Sequence, residues 1–179
     1  MNKQRGFTVI EMLVVLAVTI GIVFGVMKFT RTLKDTTASN GLLQVISEVD
    51  GKIREAYANE LTYTGVSIKS LSDRGYTFSN DIWQASANDW RLVTPGGGNL
   101  RVLPGDVYGT TAAGYIIYVY NVSSTTCRDV LRNLGANYVA LQTTTGVLTH
   151  TRGEQVSSSD LTTYCPATSN NMHVYLYGI

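Results

Sequence analysis

One acid near the start of a long apolar run is the feature that most constrains what this chain can form. Glu11 follows residues 6–10 (Gly-Phe-Thr-Val-Ile) and precedes an uncharged stretch from Met12 to Met27. On membrane-insertion scales a carboxylate costs about 2.5 to 3.5 kcal/mol at the bilayer centre, and less near its edge. Some interaction must offset that cost, so Glu11 predicts a dedicated counter-charge.

Cleavage of the chain after Gly6 would create such a counter-charge. The new ammonium group on Phe7 would lie at the positive end of a helix, where an acid is favourable and a second positive charge is not. Within one helix the Glu11 side chain lies about one turn away, so the amine of a neighbouring copy is the better partner. The motif therefore predicts a polymer in which Glu11 holds two helices in register.

The segment Lys3-Gln4-Arg5-Gly6, followed by Phe7-Thr8-Val9-Ile10-Glu11-Met12-Leu13, resembles the type III signal of type IV pilins and related pseudopilins. In that family a leader peptidase cuts after the glycine, the new Phe is N-methylated, and the acid is needed for filament assembly. The resemblance implies leader-peptidase cleavage between Gly6 and Phe7, N-methylation of Phe7 and an assembly role for Glu11.

A plain secretory signal peptide or a simple membrane anchor is the alternative interpretation of this start. A secretory signal has a small-residue cleavage site directly after its apolar core. Here Lys28, Arg31 and Lys34 follow the core, and the best small-residue site, near Ala38, lies beyond them. The pattern therefore favours the type III signal.

The segment from Phe7 to Met27 has the length of a membrane span. Its 21 residues would extend about 31 Å as an ideal helix, close to a hydrocarbon core of about 30 Å. Within it, Gly21 and Gly25 form a small-xxx-small pair, which in a lone span favours close helix pairing. Cations lie on both sides, so charge alone does not orient the span. The two cysteines and the family resemblance favour a cytoplasmic start and an exported remainder.

An amphipathic helix is predicted to continue beyond the span. Apolar residues recur at helical spacing from Leu42 to Tyr57, with charged residues on the other faces. Since no proline occurs before Pro95, one helix from Phe7 to near Asn59 is expected. Gly41 and Gly51 are predicted points of weakness in it.

Strand patterns dominate the remainder of the chain. Tyr115 to Val122 combines β-branched and aromatic residues and predicts a central strand. Short strands are also expected on both sides of the turn Pro95-Gly96-Gly97-Gly98-Asn99, in a hairpin over residues 138–150, and at 172–177. A short helix capped by Ser67 is predicted at 67–73. These segments predict an antiparallel sheet of at least four strands.

A disulfide between Cys127 and Cys165 is predicted, since the chain has no other cysteine. Cys127 lies on the apolar stripe of a short helix that Thr126 precedes and Gly135 follows, which turns its sulfur toward the domain body. Closing this loop would stabilise the fold by about 4 kcal/mol in the chain-entropy model. A catalytic or metal-binding cysteine is the alternative, but no CxxC spacing occurs. The disulfide implies export to an oxidising compartment.

The cysteine region adds to the resemblance. Cys127-Arg128-Asp129-Val130-Leu131, a following strand and Cys165 resemble the disulfide-bounded region of type IVb pilins, whereas the six-residue leader is closer to the type IVa pattern. The predicted fold class is α+β: a long N-terminal α-helix, with a membrane half and an amphipathic half, packed on an antiparallel β-sheet head. The expected segments are a leader at 1–6, the membrane and assembly helix at 7–27, its amphipathic continuation at 28–60, and the head at 61–179 with its disulfide-bounded region at 127–165.

Other classes of function find little support. GxSxG and HExxH motifs are absent, and so is a close acid and base pair, so no enzyme is expected. The glycine-rich turn at 95–99 lacks the Lys and Ser or Thr of a phosphate loop. A formal net charge of +1 gives no general attraction for nucleic acid. No cofactor is predicted.

Two similar segments leave smaller alternatives open. Asn80-Asp81 and Asn88-Asp89 could offer oxygen ligands to calcium, but such pairs are commoner in turns, and no metal site is expected. The tryptophans that follow them, Trp83 and Trp90, are expected to be packing anchors, with a sugar-binding platform as the alternative.

The expected function is that of a structural subunit, the major pilin, of a type IV pilus. The implied partners are other copies of the chain in a helical homopolymer, the prepilin peptidase, and an inner-membrane assembly platform with motor ATPases. The precursor and stored subunit are expected in the inner membrane and the assembled fibre outside the cell. The alternatives are a minor pilin or secretion-system pseudopilin, and a membrane-anchored monomeric adhesin.

Overall fold

The computed structural model describes residues 9–107, 109–149, 152–169 and 171–179. The chain divides into two compact units between Lys34 and Asp35. The first unit contributes the N-terminal part of one α-helix. The second unit, the head, contains the rest of that helix and every described strand.

Helix α1 runs from Val9 to Ala56, a length of 48 residues. The predicted amphipathic continuation of the first helix beyond residue 27 is therefore confirmed, and its last part belongs to the second unit, residues 35–179, which is called the head from here on. Within the head, one stripe of α1 is buried at helical spacing, consisting of Leu42, Val45, Ile46, Val49 and Ile53. Each such fully buried side chain contributes roughly 1.5 to 3 kcal/mol relative to exposure.

A seven-stranded antiparallel sheet forms the body of the head. Its strands are β1 Ile82–Ser86, β2 Asp89–Val93, β3 Asn99–Val107, β4 Thr110–Val122, β5 Ala140–Thr143, β6 Gly146–Thr149 and β7 Met172–Gly178. Their spatial order is β1-β2-β3-β4-β7-β5-β6, so β4 is the central strand, as the sequence predicts. The last strand of the chain pairs between β4 and β5 and joins the two halves of the sheet.

The inner face of the sheet is apolar and closes the core together with α1. Alternate residues of the strands are buried there, which is the period-two pattern of a sheet with one covered face. On β4 and β7 the inward residues include Ile117, Val119, Val174 and Leu176, each 0% exposed. They belong to the same apolar cluster as the buried stripe of α1.

Three shorter helices complete the head: α2 Ile68–Asp73, α3 Ser124–Leu134 and α4 Ser158–Tyr164. Ser67 caps α2 as predicted, by accepting a hydrogen bond from the backbone N–H of Ser70. The cap predicted for α3 is wrong. Ser123, not Thr126, is the N-cap, because its side chain accepts from the Thr126 N–H at 3.1 Å and the helix begins three residues earlier than expected.

The turn between β2 and β3 packs directly on the backbone of α1. A Cβ atom placed on Gly41 would lie 2.7 Å from Pro95 Cγ. One placed on Gly96, whose φ is +94°, would lie 2.9 Å from the Cβ of Ala38. Gly41 is therefore a point of close approach between helix and turn, whereas the sequence suggested only a weak point in the helix.

Two glycine substitutions in α1 should change stability in opposite directions. Gly51→Ala should stabilise the head by up to about 1 kcal/mol, because alanine favours a helix and a Cβ there meets nothing within 4 Å. Gly41→Ala gains the same propensity but must displace Pro95, an overpacking cost of about 1 to 3 kcal/mol. Thermal unfolding of the full chain in detergent should rank Gly51→Ala above the wild type and Gly41→Ala below it. Equal stabilisation by both substitutions would show that the turn yields freely.

Candidate assembly surface

The first part of α1 exposes its apolar side chains. From Val9 to Met27, every side chain that the structure describes is exposed, with Val9 at 78% and Phe24 at 66%. The polar Thr19 bonds within its own helix, since its hydroxyl donates to the Val15 carbonyl at 2.7 Å. A contiguous exposed apolar surface of this size marks an interaction with a protein or a membrane.

The structure describes little of the predicted site residues at the start of the chain. Gly6 and Phe7 lie outside the described residues. Glu11 lies in α1, and its side chain is outside the described part of the structure. Cleavage after Gly6, methylation of Phe7 and the assembly role of Glu11 therefore stay predictions.

The predicted membrane span at 7–27 includes positions that the structure does not describe. Among the described residues, no helix combines the length and the hydropathy required to cross a membrane. Gly21 and Gly25, the small pair in this segment, leave open space: a Cβ on either meets nothing within 4 Å. The helix surface at these two positions can admit a closely approaching partner.

The second part of α1 also presents one exposed stripe, opposite its buried stripe. It consists of Thr37, Asn40, Gln44, Ser47, Gly51 and Glu55, all exposed. The spacing of three or four residues keeps these positions on one face of the helix. They are small or uncharged apart from Glu55, so this face can lie against another helix without burying many charges.

A polar cluster fastens the end of α1 to the sheet. Asp50 accepts hydrogen bonds from the hydroxyl of Tyr115 on β4 and from Arg54 Nε, the latter at 2.8 Å. Arg54 also donates to the carbonyl of Ile179 at 2.8 Å. Burial and the nearby Asp50 carboxylate raise the pKa of Tyr115, so this phenol stays a donor. The cluster holds α1, the central strand and the last strand together.

A second tie lies near the start of α1 in the head. Ser39 is 2% exposed, and its hydroxyl donates to Asp129 Oδ2 on α3 at 2.8 Å. The sequence does not predict this contact, because the two residues are 90 positions apart and a lone Ser in a helix gives no signal of its partner. The tie links α1 to the disulfide-bounded region.

The predicted disulfide is present. Cys127 on α3 is bonded to Cys165 at the end of α4, with a Cα–Cα distance of 5.9 Å. The carbonyl of Cys165 also accepts hydrogen bonds from the Ser124 hydroxyl at 3.0 Å and from Arg128 Nε at 2.9 Å. One covalent and two polar links therefore hold α3 and α4 together.

The outer face of the sheet carries aromatic and arginine side chains that are partly exposed. Tyr118 on β4 stacks on Tyr175 of β7, with 3.9 Å between the ring centroids, and the Tyr120 ring lies tilted beside it with 3.8 Å between centroids. Burial, with a hydrogen bond to Tyr175, raises the pKa of Tyr118. The Arg91 guanidinium lies 4.5 Å from the Tyr120 ring centroid. The period-two spacing of the tyrosines in the two strands is the signal that could have predicted this face.

The two tryptophans, Trp83 and Trp90, lie in different environments. Trp90 is partly buried against the apolar core, as expected of a packing anchor. Trp83 is 49% exposed on β1 and points to the outer face beside Arg91, so the packing role expected for it is wrong. Asp89, one of the residues considered for calcium, is instead paired with Arg91 and with Arg101 Nε at 3.2 Å.

The N-terminus of the chain matches a described family. Residues 1–26 match the Prokaryotic N-terminal methylation motif. Two curated relatives, both described as the major structural subunit of bundle-forming pilus, come from Escherichia coli O127:H6 (strain E2348/69 / EPEC) and O111:H-. Each is 25% identical over 140 residues, which are 76% of this chain and 70% of the relative.

Solved structures share the fold at low sequence identity. The type IV b pilin from Salmonella typhi aligns with a TM-score of 0.55 at 15% identity, over 80% of this chain and 99% of that one. TcpA, a type IV pilin from Vibrio cholerae El Tor biotype, aligns with a TM-score of 0.58 at 11% identity and the same coverage. The architecture of helix, antiparallel sheet and C-terminal disulfide is thus the pilin fold.

Asp89 should make part of the head's stability depend on pH. The hydrogen bond from Arg91, aided by the charge of Arg101, lowers the pKa of Asp89 although burial opposes this. A lowered folded-state pKa gives stability that is present above the unfolded-state pKa of about 3.9 and lost as pH falls through the folded value. Asp89→Asn should therefore lower the free energy of unfolding by about 1 to 3 kcal/mol near pH 7. The loss should become progressively smaller as the pH falls below about 4.

Unfolding of the full chain in detergent across this pH range measures the effect. Asp73→Asn is the matched control, because the Asp73 side chain is 60% exposed in its pair with Lys69 and such surface pairs contribute little. A gap between wild type and Asp89→Asn that stays constant down to pH 2 would contradict the assignment.

Proposed function

We propose that this chain, a member of the type IV pilin family, is the major structural subunit of a pilus and polymerises through its first helix. The observation that carries the proposal is the contrast within α1, which exposes its apolar side chains over residues 9–27 and buries an apolar stripe in the head. The relatives described as the major subunit of bundle-forming pilus support the role of a major subunit.

Processing precedes assembly in this proposal. The leader peptidase cuts between Gly6 and Phe7, and the new amine of Phe7 is methylated. The match of residues 1–26 to the methylation motif supports both steps. Before assembly the apolar surface of α1 holds the subunit in the inner membrane, and afterwards it is buried among equivalent helices in an extracellular fibre.

Packing and charge, not hydrophobicity alone, favour the fibre over the membrane. Lipid tails are as apolar as leucine, so moving α1 from lipid to a helix bundle gains little from burial alone. Two specific contributions to the free energy favour the fibre. One is close helix packing at Gly21 and Gly25, and the other is pairing of Glu11 with a neighbour's amine. The exposed polar stripe from Thr37 to Glu55 continues the contact beyond the apolar part. An inner-membrane platform and its motor ATPases provide the energy for extraction.

The mass of the chain purified from its native membrane tests the processing steps. Loss of Met1 to Gly6 together with the gain of one methyl group is the expected result. A chain that retains Met1 would overturn the proposal and favour a membrane-anchored monomer. Electron microscopy of the same cells separates a major subunit, which gives abundant fibres, from a minor pilin or pseudopilin.

Glu11→Ala should leave membrane insertion intact and impair fibre growth. Removing one partner of a charge-assisted hydrogen bond costs about 1.5 to 3 kcal/mol, which weakens each subunit addition roughly 10- to 100-fold. Fibre yield and the amount of subunit in the membrane fraction are the measurements. Thr19→Ala is the matched control, because Thr19 bonds only to its own helix in the described contacts. Normal fibres from Glu11→Ala would exclude the proposed pairing.

A further inference from the structure

Glu55 is the excess charge of α1 among the side chains that the structure describes in the head. Two acids of this part of the helix are paired with bases one turn further on, Glu48 with Lys52 and Asp50 with Arg54. Glu55 is exposed and forms no ion pair with another described residue. The second part of α1 therefore presents one uncompensated negative charge to its surroundings.

Arg132 is the corresponding excess charge of helix α3. The other two charged residues of this helix, Arg128 and Asp129, offset each other and bond within the head. Arg128 donates to the carbonyl of Cys165 at 2.9 Å, and Asp129 accepts from the hydroxyl of Ser39 at 2.8 Å. Arg132 is exposed, and it too forms no ion pair with a described residue.

These two charges lie on opposite flanks of the exposed stripe of α1. Ser39, which contacts α3, and Glu48, which accepts from the Ser79 N–H at 3.1 Å, are nine positions apart (48 − 39). At 3.6 residues per turn they point about 180° apart. Glu55 lies seven positions beyond Glu48 (55 − 48), or about two turns, and so shares its flank. Helix α3 with Arg132 borders the other flank.

The two charges also lie at different levels along α1. Arg132 is about one helical turn from Asp129, which contacts Ser39. Glu55 follows Ser39 by 16 positions (55 − 39), which is about 24 Å along the helix. Within one copy the two side chains therefore do not meet. A neighbouring copy that is displaced along the axis of α1 can bring its Arg132 level with Glu55.

Charge selects which flanks of two copies can face each other. Contact between like flanks brings Glu55 against Glu55 or Arg132 against Arg132, which like charges disfavour. Contact between unlike flanks brings a carboxylate to a guanidinium, a pair that can form two parallel hydrogen bonds. The exposed stripe between the flanks, from Thr37 to Gly51, is uncharged and opposes neither arrangement. Contact between unlike surfaces is heterologous, so it can repeat into an open helical filament.

From these observations we propose that Glu55 of each copy pairs with Arg132 of an adjacent copy in the same fibre. The inference rests on the proposed function and deepens it, because it adds a contact between heads to the contact between first helices. One exposed ion pair is weak, but the fibre repeats it at every subunit and the helix contacts act with it. Its main effect is to select the orientation in which neighbouring heads meet.

Charge reversal in the full chain tests the pairing. Glu55→Arg and Arg132→Glu should each lower the fibre yield roughly five-fold, because like charges then face each other. The double variant exchanges the two charges and should recover most of the yield. Asp73→Arg is the matched control, since it changes the net charge as Glu55→Arg does but lies on α2 in an exposed pair with Lys69. Its fibre yield should stay at the parent level, and subunit in the membrane fraction is measured for every variant.

Cross-linking within assembled fibres tests the geometry. Both native cysteines are in the disulfide, so introduced thiols report only the new positions. Fibres of a chain that carries both Glu55→Cys and Arg132→Cys are treated with a short bis-maleimide and separated by denaturing electrophoresis. A ladder of multimers is expected, because each copy contacts two neighbours through unlike flanks. Either substitution alone should give no dimers. Glu55→Cys combined with Val147→Cys, an exposed position on β6, is the control and should give no ladder.

Each alternative outcome has a distinct meaning. Normal fibre yield from both single charge reversals, or no recovery in the double variant, would overturn the ion pair and leave the proposed function standing. Abundant fibres of the double-cysteine chain without a ladder would do the same. Dimers from one single-cysteine variant, in the amount that the double-cysteine chain gives, would overturn the contact between unlike flanks. Absence of fibres from the parent chain under electron microscopy would overturn the proposed function itself.

Discussion

One helix has to satisfy two environments, and this constraint governs the rest of the molecule. In the head, α1 buries an apolar stripe against the core, where Ile46, Val49 and Ile53 are 0% exposed. This stripe needs no further partner. Over residues 9–27 the same helix exposes its apolar side chains. The apolar surface over residues 9–27 therefore marks a site of interaction with a protein or a membrane. Under the proposed function, lipid and neighbouring helices offer similar hydrophobic stabilisation, so small specific contributions such as a charge pair or a close helix contact decide between storage in the membrane and assembly.

Several kinds of interaction hold the second part of α1 against the rest of the head. Close packing joins Gly41 to Pro95 near the beginning of the head part of α1. The buried hydrogen bond from Ser39 to Asp129 lies in the same turn of the helix. At the other end of α1, Asp50 receives the Tyr115 hydroxyl from the central strand. Because these contacts involve different strands and helices, the loss of one leaves the others in place.

The sequence was sufficient where a pattern was local and strong. The β-branched and aromatic run of β4, the apolar period of α1 and the sole pair of cysteines each predicted the observed element. It was insufficient where tertiary packing decides. Strand β1 mixes polar and apolar residues and resembled a turn, and its pairing with β2 is what makes it a strand. In helix α4 only Leu161 is buried, so the sequence shows no apolar residues at helical spacing that would predict the helix. For α3, four consecutive hydroxyl residues, 123–126, could cap the helix, and only the backbone geometry selects Ser123.

The outer face of the sheet follows from how the head is layered. A sheet covered on one side only should alternate apolar residues with polar ones, yet β4 and β7 present stacked tyrosines where polar residues would suffice. Those rings satisfy much of their own polarity, since Tyr118 pairs with His173 Nδ1 at 3.2 Å and Tyr177 donates to Gln142 at 2.8 Å. Such a face is compatible with water, because several of its polar groups already have hydrogen-bond partners within the chain. The stacked rings and the Arg91 guanidinium beside them therefore remain at the surface of the head with ring or ion-pair partners within the same chain.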